Sequence, residues 1–136
     1  GLVGQNWGEL LIGPSYTARG KKGFTEFGIQ GGIETYNNSP FRGMAYVFHK
    51  TPGETSGRKE LTYLVVGEYG GSGRWHFGFI NYNVTKVIGI GAVAQHGTVY
   101  GPRLQVNIPI GFVWMGAGQD LENKASGMAI GVRMFM

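Results

Sequence analysis

Cysteine is absent from the 136 residues of the chain. Its absence excludes disulfide frameworks, thiolate zinc sites, iron–sulfur clusters and cysteine nucleophiles. Long apolar runs are also missing, because no window approaches the roughly 18 to 20 apolar residues that a membrane helix needs. The N-terminus lacks a basic region followed by an apolar core, and the chain begins at Gly1 without a methionine. A helical membrane protein is excluded, and an exported protein that has lost its signal peptide is compatible with this start.

Charged residues are few, at 15% of the chain, and the net charge of +4 comes from dispersed lysines and arginines. This distribution does not predict a nucleic-acid surface. Proline is scarce at 5 residues, whereas glycine reaches 26, aromatic residues 13% and apolar residues 42%. That much apolar and aromatic content predicts a folded chain, and the length predicts one domain over residues 1–136.

Alternation with period two is the dominant local pattern, and it predicts strands whose side chains point to opposite faces. In residues 24–37, for example, Phe27, Ile29 and Ile33 alternate with Glu26 and Glu34. Turn-forming residues follow at 36–40. The pattern predicts about eight strands. They cover residues 8–18, 24–37, 41–50, 60–69, 74–83, 87–96, 103–114 and 128–136.

Two of these segments carry the strongest aromatic patterns. In residues 74–83, Trp75, Phe77 and Phe79 alternate with Arg74 and His76. In residues 103–114, apolar side chains occupy every second position from Leu104 to Trp114. Pro109 lies on the opposite parity, and a proline within a strand pattern usually marks a strand edge or a bulge. Residues 100–102 then read as a turn, and residues 116–126 as the longest polar loop.

Eight amphipathic strands joined by hairpins leave two open edges unless they close into an up-and-down antiparallel barrel. The more polar parity is rich in small residues and has isolated charges, which suits a crowded interior better than a water-facing surface. The other parity is nearly free of charge in mid-strand, as expected of a face in contact with lipid. We therefore expect a transmembrane barrel with a plugged polar lumen. The expected lumen residues are Glu9, Glu26, Glu34, Glu68, Arg74, His76, Arg103 and Arg133. The expected lipid-facing or girdle residues are Tyr16, Phe27, Trp75, Phe77, Phe79, Phe112 and Trp114.

With this whole-chain alternation and the closing segment 128–136, the chain resembles the small eight-stranded outer-membrane proteins of Gram-negative bacteria. Members of that family usually end on a lipid-facing aromatic residue, whereas here Phe135 is penultimate and Met136 is terminal. The resemblance implies an outer-membrane location and a structural, adhesive or assembly role in the cell envelope. The implied partners are membrane lipid and other envelope proteins, and no cofactor is implied.

No stretch has the spacing of a known catalytic or metal centre. His49, His76 and His96 fall on separate predicted strands, without a paired ligand two or four residues away. His49 and His76 share the predicted lumen parity, where a polar network would fix the fold. Some outer-membrane barrels modify lipids with a serine or histidine at one rim. Ser15, Ser39, Ser72 and Ser126 have no such motif around them, so a non-enzymatic role is favoured.

A soluble barrel is the alternative interpretation. It would be secreted or periplasmic, and it would bind a small hydrophobic ligand inside or a carbohydrate through its loops. In that case the residues facing the interior would be Phe27, Ile29, Phe77, Phe79, Ile108 and Ile110.

Overall fold

The fold is known from a computed structural model, which describes four stretches of the chain, residues 2–4, 7–35, 40–53 and 59–134. Phe135 and Met136, the last two residues of the closing segment 128–136, lie outside the described residues, as does Ser39. Within the described residues the chain forms eleven strands. The strands are β1 (Leu2–Gly4), β2 (Trp7–Ile12), β3 (Ser15–Gly20), β4 (Gly23–Glu34), β5 (Phe41–Lys50), β6 (Leu61–Gly70), β7 (Gly73–Asn83), β8 (Ile88–Gln95), β9 (Val99–Ile108), β10 (Gly111–Asp120) and β11 (Ala125–Met134). None of the described residues belongs to a helix long and apolar enough to cross a bilayer.

All strands belong to one antiparallel sheet, in the order β1-β2-β4-β5-β6-β7-β8-β9-β10-β11, with β3 also paired to β4. Strands that follow each other in the chain are therefore neighbours in the sheet, as hairpin connections dictate. The prediction of an all-β antiparallel sheet is confirmed. In the described part of the chain no pairing joins β11 to the first three strands, so the sheet is open there.

The described residues contain three strands beyond the predicted eight: β1 was not predicted, the predicted strand 8–18 divides at residues 13–14 into β2 and β3, and the predicted strand 103–114 divides at residues 109–110 into β9 and β10. Residues 109–110 form a two-residue turn between β9 and β10, and Ile108 pairs with Gly111 across it. Proline lacks the backbone N–H that a ladder needs, so the chain reverses there instead of continuing. The prediction of one strand over residues 103–114 was wrong. The predicted turn at 100–102 lies inside β9, and the predicted loop at 116–126 contains the end of β10 and the start of β11.

The two faces of the sheet differ sharply. On the outer face, large apolar side chains are exposed on strand after strand, for example Ile29 at 71%, Val65 at 58% and Ile130 at 62%. On the inner face, the buried side chains are mainly polar, and Arg42 and Arg103 are 6% and 3% exposed. Tyr16 and Phe27, predicted to face lipid, lie on the outer face at 69% and 48% exposure.

The sheet curls around its inner face. Phe77 on β7 and Trp114 on β10 have ring centroids 6.2 Å apart. Three strand spacings separate β7 from β10, which in a flat sheet would amount to about 14 Å between backbones. The curl explains how a single sheet buries side chains on one of its faces.

The orientation of β7 is opposite to the prediction. Phe77 pairs with the buried Val66, and Trp75 pairs with the buried Glu68, so both rings face inward. Phe79 shares their parity. Arg74 lies on the outer face and is exposed, and His76 shares its parity. The alternation of this strand was clear, but the prediction assigned its aromatic parity to lipid and its polar parity to the interior, and the structure has the reverse.

The turn at Pro109 also reverses the orientation predicted for Phe112 and Trp114. Phe112 pairs with Asn107 and Trp114 with the buried Gln105, so both aromatic side chains lie on the inner face. Leu104, on the same predicted parity as both, lies on the outer face at 44% exposure. A register that changes by one residue moves every following side chain to the other face, and the reversal at Pro109 has that effect.

Candidate functional site

The inner face is the candidate site, and its two ends are defined by turns. The β6–β7, β8–β9 and β10–β11 turns lie at one end, here called the Arg42 end. The β3–β4, β7–β8 and β9–β10 turns lie at the opposite end, here called the cavity end.

Arg42, near the start of β5, is surrounded by three glutamates. Its Nε lies 3.1 Å from Glu9 Oε2 and 2.9 Å from Glu68 Oε2, and its Nη1 lies 3.0 Å from Glu34 Oε2. Ser72 Oγ donates to Glu34 Oε2 at 2.6 Å, and the Ser72 backbone N–H donates to Glu34 Oε1 at 2.7 Å. These five residues are the Arg42 cluster. It ties β2, β4, β5, β6 and the β6–β7 turn together.

The Arg42 cluster is buried, since none of its four charged side chains is more than 6% exposed. Three carboxylates surround one guanidinium, so Arg42 is the group that makes their burial tolerable. Sequence analysis predicted the three glutamates for the interior but missed Arg42. Arg42 shares its parity with Met44, Tyr46 and Phe48, which read as a lipid-facing apolar face, whereas this parity of β5 faces inward.

Arg103 lies deeper, among aromatic rings. Its guanidinium carbon is 4.0 Å from the ring centre of Phe79, 4.8 Å from that of Trp114 and 5.8 Å from that of Phe112. Its Nη2 donates to Gln105 Oε1 at 2.7 Å, whereas Nε and Nη1 have no hydrogen-bond partner among the described residues. Cation–π contacts and one amide therefore hold this buried charge, without a carboxylate.

A ladder of amides continues from Arg103 toward the cavity end. Gln105 Nε2 donates to Asn107 Oδ1 at 2.7 Å, and Asn107 Nδ2 donates to Asn83 Oδ1 at 3.3 Å and to the Lys86 carbonyl at 3.2 Å. Asn81 Nδ2 donates to Asn83 Oδ1 at 3.0 Å. These amides were not predicted for the interior, because Asn81 and Asn83 share the parity of Phe77 and Phe79, which was expected to face lipid.

Next to the ladder is a cavity of about 430 Å³, whose walls come from β4, β5, β6, β7, β9, β10 and β11. Arg133, predicted for the lumen, lies on the inner face opposite Phe112 and lines this cavity with an exposed side chain. Glu26, also predicted for the lumen, accepts a 2.5 Å hydrogen bond from Tyr46 Oη on the inner face and is half-buried.

The histidines lie on the outer-face parity or in a turn. His49 Nδ1 is 2.8 Å from Thr25 Oγ1 on the outer face, and His76 Nε2 is 2.5 Å from Tyr100 Oη. The placement of His49 and His76 on the lumen parity was wrong, because β5 and β7 both face the other way. His96, in the β8–β9 turn, has Nδ1 3.2 Å from Glu122 Oε1.

Asp120, at the Arg42 end, organises the β10–β11 turn. It accepts hydrogen bonds from the backbone N–H of Glu122 at 2.9 Å and from Asn123 Nδ2 at 2.6 Å. The bond from the Asn123 side chain is the main reason why the pKa of Asp120 lies below its ordinary value.

The inner face shows no assembled hydrolytic or metal centre. Ser72 is hydrogen-bonded to Glu34 and Arg42, an arrangement without an imidazole to accept its proton. Among the described residues, no three histidine, aspartate or glutamate side chains are grouped so as to hold a metal ion. The arrangement can hold charge and exclude water, and it leaves one lined cavity at the cavity end.

Comparison with known proteins found no family model, no curated protein and no solved structure that matches the chain.

Proposed function

We propose that the chain is an integral β-barrel of an outer membrane, with a polar interior that is plugged over most of its length. It acts as a non-enzymatic structural, adhesive or assembly component of the cell envelope. Lipid is its first partner, and other envelope proteins are the second.

One observation carries this proposal: the burial pattern is the reverse of that of a soluble protein. Among the described side chains, three apolar ones are buried, all valines, against nine polar or charged ones, while 26 large apolar side chains are exposed. Soluble monomers rarely expose such a continuous apolar surface. In a bilayer the same apolar surface stabilises the protein, because its side chains contact lipid instead of water.

Strand length supports the same interpretation. Strands β5 to β7 and β9 to β11 have 10 or 11 residues, which matches the 9 to 11 residues of a tilted strand that crosses a bilayer, and β8, with 8 residues, is one residue below that range. Within the bilayer, backbone groups at an open sheet edge would be unsatisfied, so the proposed barrel closes by pairing the free edge of β11 with the first strands. The Arg42 cluster and the Arg103 layer would then fill the lumen and prevent a large conductance.

The exposed positions of Phe27, Ile29 and Ile108 weigh against the soluble alternative, which requires these side chains to fill the interior. Phe79 does face inward, but it packs on Arg103 and belongs to a layer that is partly polar.

A matched pair of lysine substitutions tests the proposal. Val65→Lys changes an outer-face residue in the middle of β6, and Leu121→Lys changes a residue of similar exposure, 61% against 58%, in the β10–β11 turn. In a bilayer, Val65→Lys should cost about 2–4 kcal/mol and Leu121→Lys about 0–1 kcal/mol, because the penalty depends on depth.

The assay expresses each variant behind an export signal and follows membrane association, detergent extraction and a heat-dependent shift in gel mobility. We expect the wild type and Leu121→Lys to fractionate with membranes and to show the shift, and Val65→Lys to lose it. A water-soluble wild type, or equal behaviour of both lysine variants, would contradict the proposal.

A further inference from the structure

The cavity at the cavity end has an aromatic wall. Phe24, Phe48, Phe79 and Phe112 all line it, and the rings of Phe24 and Phe48 lie 5.6 Å apart. Its volume of about 430 Å³ falls within the range of small-molecule pockets, roughly 300 to 1,000 Å³. This wall suits an apolar group of modest size.

The same cavity is lined by three cationic side chains, Lys50, Lys86 and Arg133, and by one carboxylate, Glu60. Lys50 Nζ is already paired with Glu60 Oε2 at 3.0 Å. No described carboxylate lies within ion-pair distance of Lys86 or Arg133. Among the described residues, two positive charges at the cavity therefore have no carboxylate partner.

A third uncompensated charge lies behind the wall. Arg103 contacts the rings of Phe79 and Phe112, which line the cavity, and it has no carboxylate partner among the described residues. Arg103 donates to Gln105, and Gln105 and Asn107 each donate in turn to an acceptor nearer the cavity end. Arg103 is buried, so its charge is screened less than it would be in water, whereas the Lys86 and Arg133 side chains are exposed.

We propose that this cavity binds a small amphipathic anion, a carboxylate or a phosphate monoester with one short apolar tail. The tail packs against the four phenylalanines, and the anionic group pairs with Lys86 and Arg133. A neutral analogue would leave both cations unpaired, and a cationic one would be repelled. The inference goes beyond the envelope role, because the cavity is formed by the inner face and does not depend on a bilayer.

The test uses the full chain folded in a non-ionic detergent and titrates it calorimetrically with four probes that share one eight-carbon tail. Octanoate and octyl phosphate are the anions, octanol is the neutral probe and octylammonium is the cation. Titration of detergent alone gives the background of partitioning into micelles. We expect saturable binding of an anion, at least about tenfold tighter than octanol, and no saturable binding of octylammonium.

Two double variants with the same change in net charge locate the site. K86Q/R133Q removes the two unpaired cations of the cavity, and R74Q/K124Q removes two exposed cations at the Arg42 end. We expect the first to weaken anion binding at least about tenfold and the second to leave it unchanged. The heat-dependent gel shift of each variant checks that the fold is retained, so loss of binding with an intact shift leaves the proposed function in place.

Binding of both octanoate and octyl phosphate no tighter than that of octanol would overturn the inference. Equal weakening by both double variants would also overturn it, because it would indicate only a general effect of net charge. Among the supporting results, preference for octanoate would identify a fatty acid as the ligand. Preference for octyl phosphate would identify a lipid phosphate.

Discussion

Replacing Arg42 by methionine removes the only positive charge of the Arg42 cluster and keeps a side chain of similar length. Glu9, Glu34 and Glu68 would then face one another, with their carboxylates at most 6% exposed. Removing one partner of a buried ion pair typically costs about 3–5 kcal/mol, because the remaining charge stays buried without compensation. We expect R42M to lower the free energy of unfolding by at least that amount.

The matched control is E9Q, which removes one of three negative charges and leaves Arg42 paired with Glu34 and Glu68. Glu9 Oε2 lies at ion-pair distance from Arg42 Nε but accepts no hydrogen bond, so the glutamine loses none, and one carboxylate repulsion is relieved. This variant should therefore change the free energy of unfolding by about 1 kcal/mol or less. In the double variant, E9Q should recover part of the stability lost in R42M, because it removes an unpaired buried charge.

Urea titration of the folded protein in detergent, followed by tryptophan fluorescence and linear extrapolation, measures all three variants. A free energy of unfolding of R42M within about 1 kcal/mol of the wild-type value would contradict this prediction. It also fails if R42M and E9Q are destabilised equally, since the sign of the charge removed would then be irrelevant.

Three further predictions use the same unfolding assay. R103M should keep or raise the free energy of unfolding, because Arg103 buries two N–H groups without hydrogen-bond partners; a loss as large as that of R42M would contradict this. G28A should cost about 1–3 kcal/mol, because an added Cβ would overlap the Tyr46 ring, whereas G31A on the other face of β4 meets nothing within 4 Å and should be neutral; equal effects would refute the assignment of faces. Asp120 has a lowered pKa, so its contribution to stability is present above its ordinary pKa and is lost as pH falls through the folded value; D120N should abolish this loss, which unfolding at neutral and acid pH would detect.

The sequence predicted an all-β antiparallel sheet and most strand positions, because side-chain character alternates with period two in every segment. It failed where alternation did not determine which face points inward and where a turn interrupted it. In β7 the alternation is clear but does not determine the direction of either parity, so the inward direction of Phe77 became visible only through its cross-strand partner Val66. At Pro109 a two-residue turn reversed the face of Trp114, and a pattern of residue classes does not encode such a reversal. The cavity was beyond prediction, because it combines residues of seven strands.

The abundance of glycine follows from the packing of the inner face. An added Cβ at Gly28 would overlap the Tyr46 ring, at Gly89 the Asn81 amide, at Gly116 a methyl group of Val93, and at Gly131 the Trp114 indole.

At Gly28, Gly89 and Gly131 a larger side chain of the neighbouring strand occupies the space over the glycine, and at Gly116 a valine two strands away does so. Alternating large and small residues across facing positions is how a narrow interior is filled without overlap. Glycine is therefore needed on the inner face wherever Tyr46 or Trp114 lies across it. Gly31 and Gly67, where an added Cβ meets nothing within 4 Å, are free to vary by this criterion. Packing thus distinguishes the inner-face glycines, where an added Cβ would overlap a neighbouring side chain, from Gly31 and Gly67, where it would not.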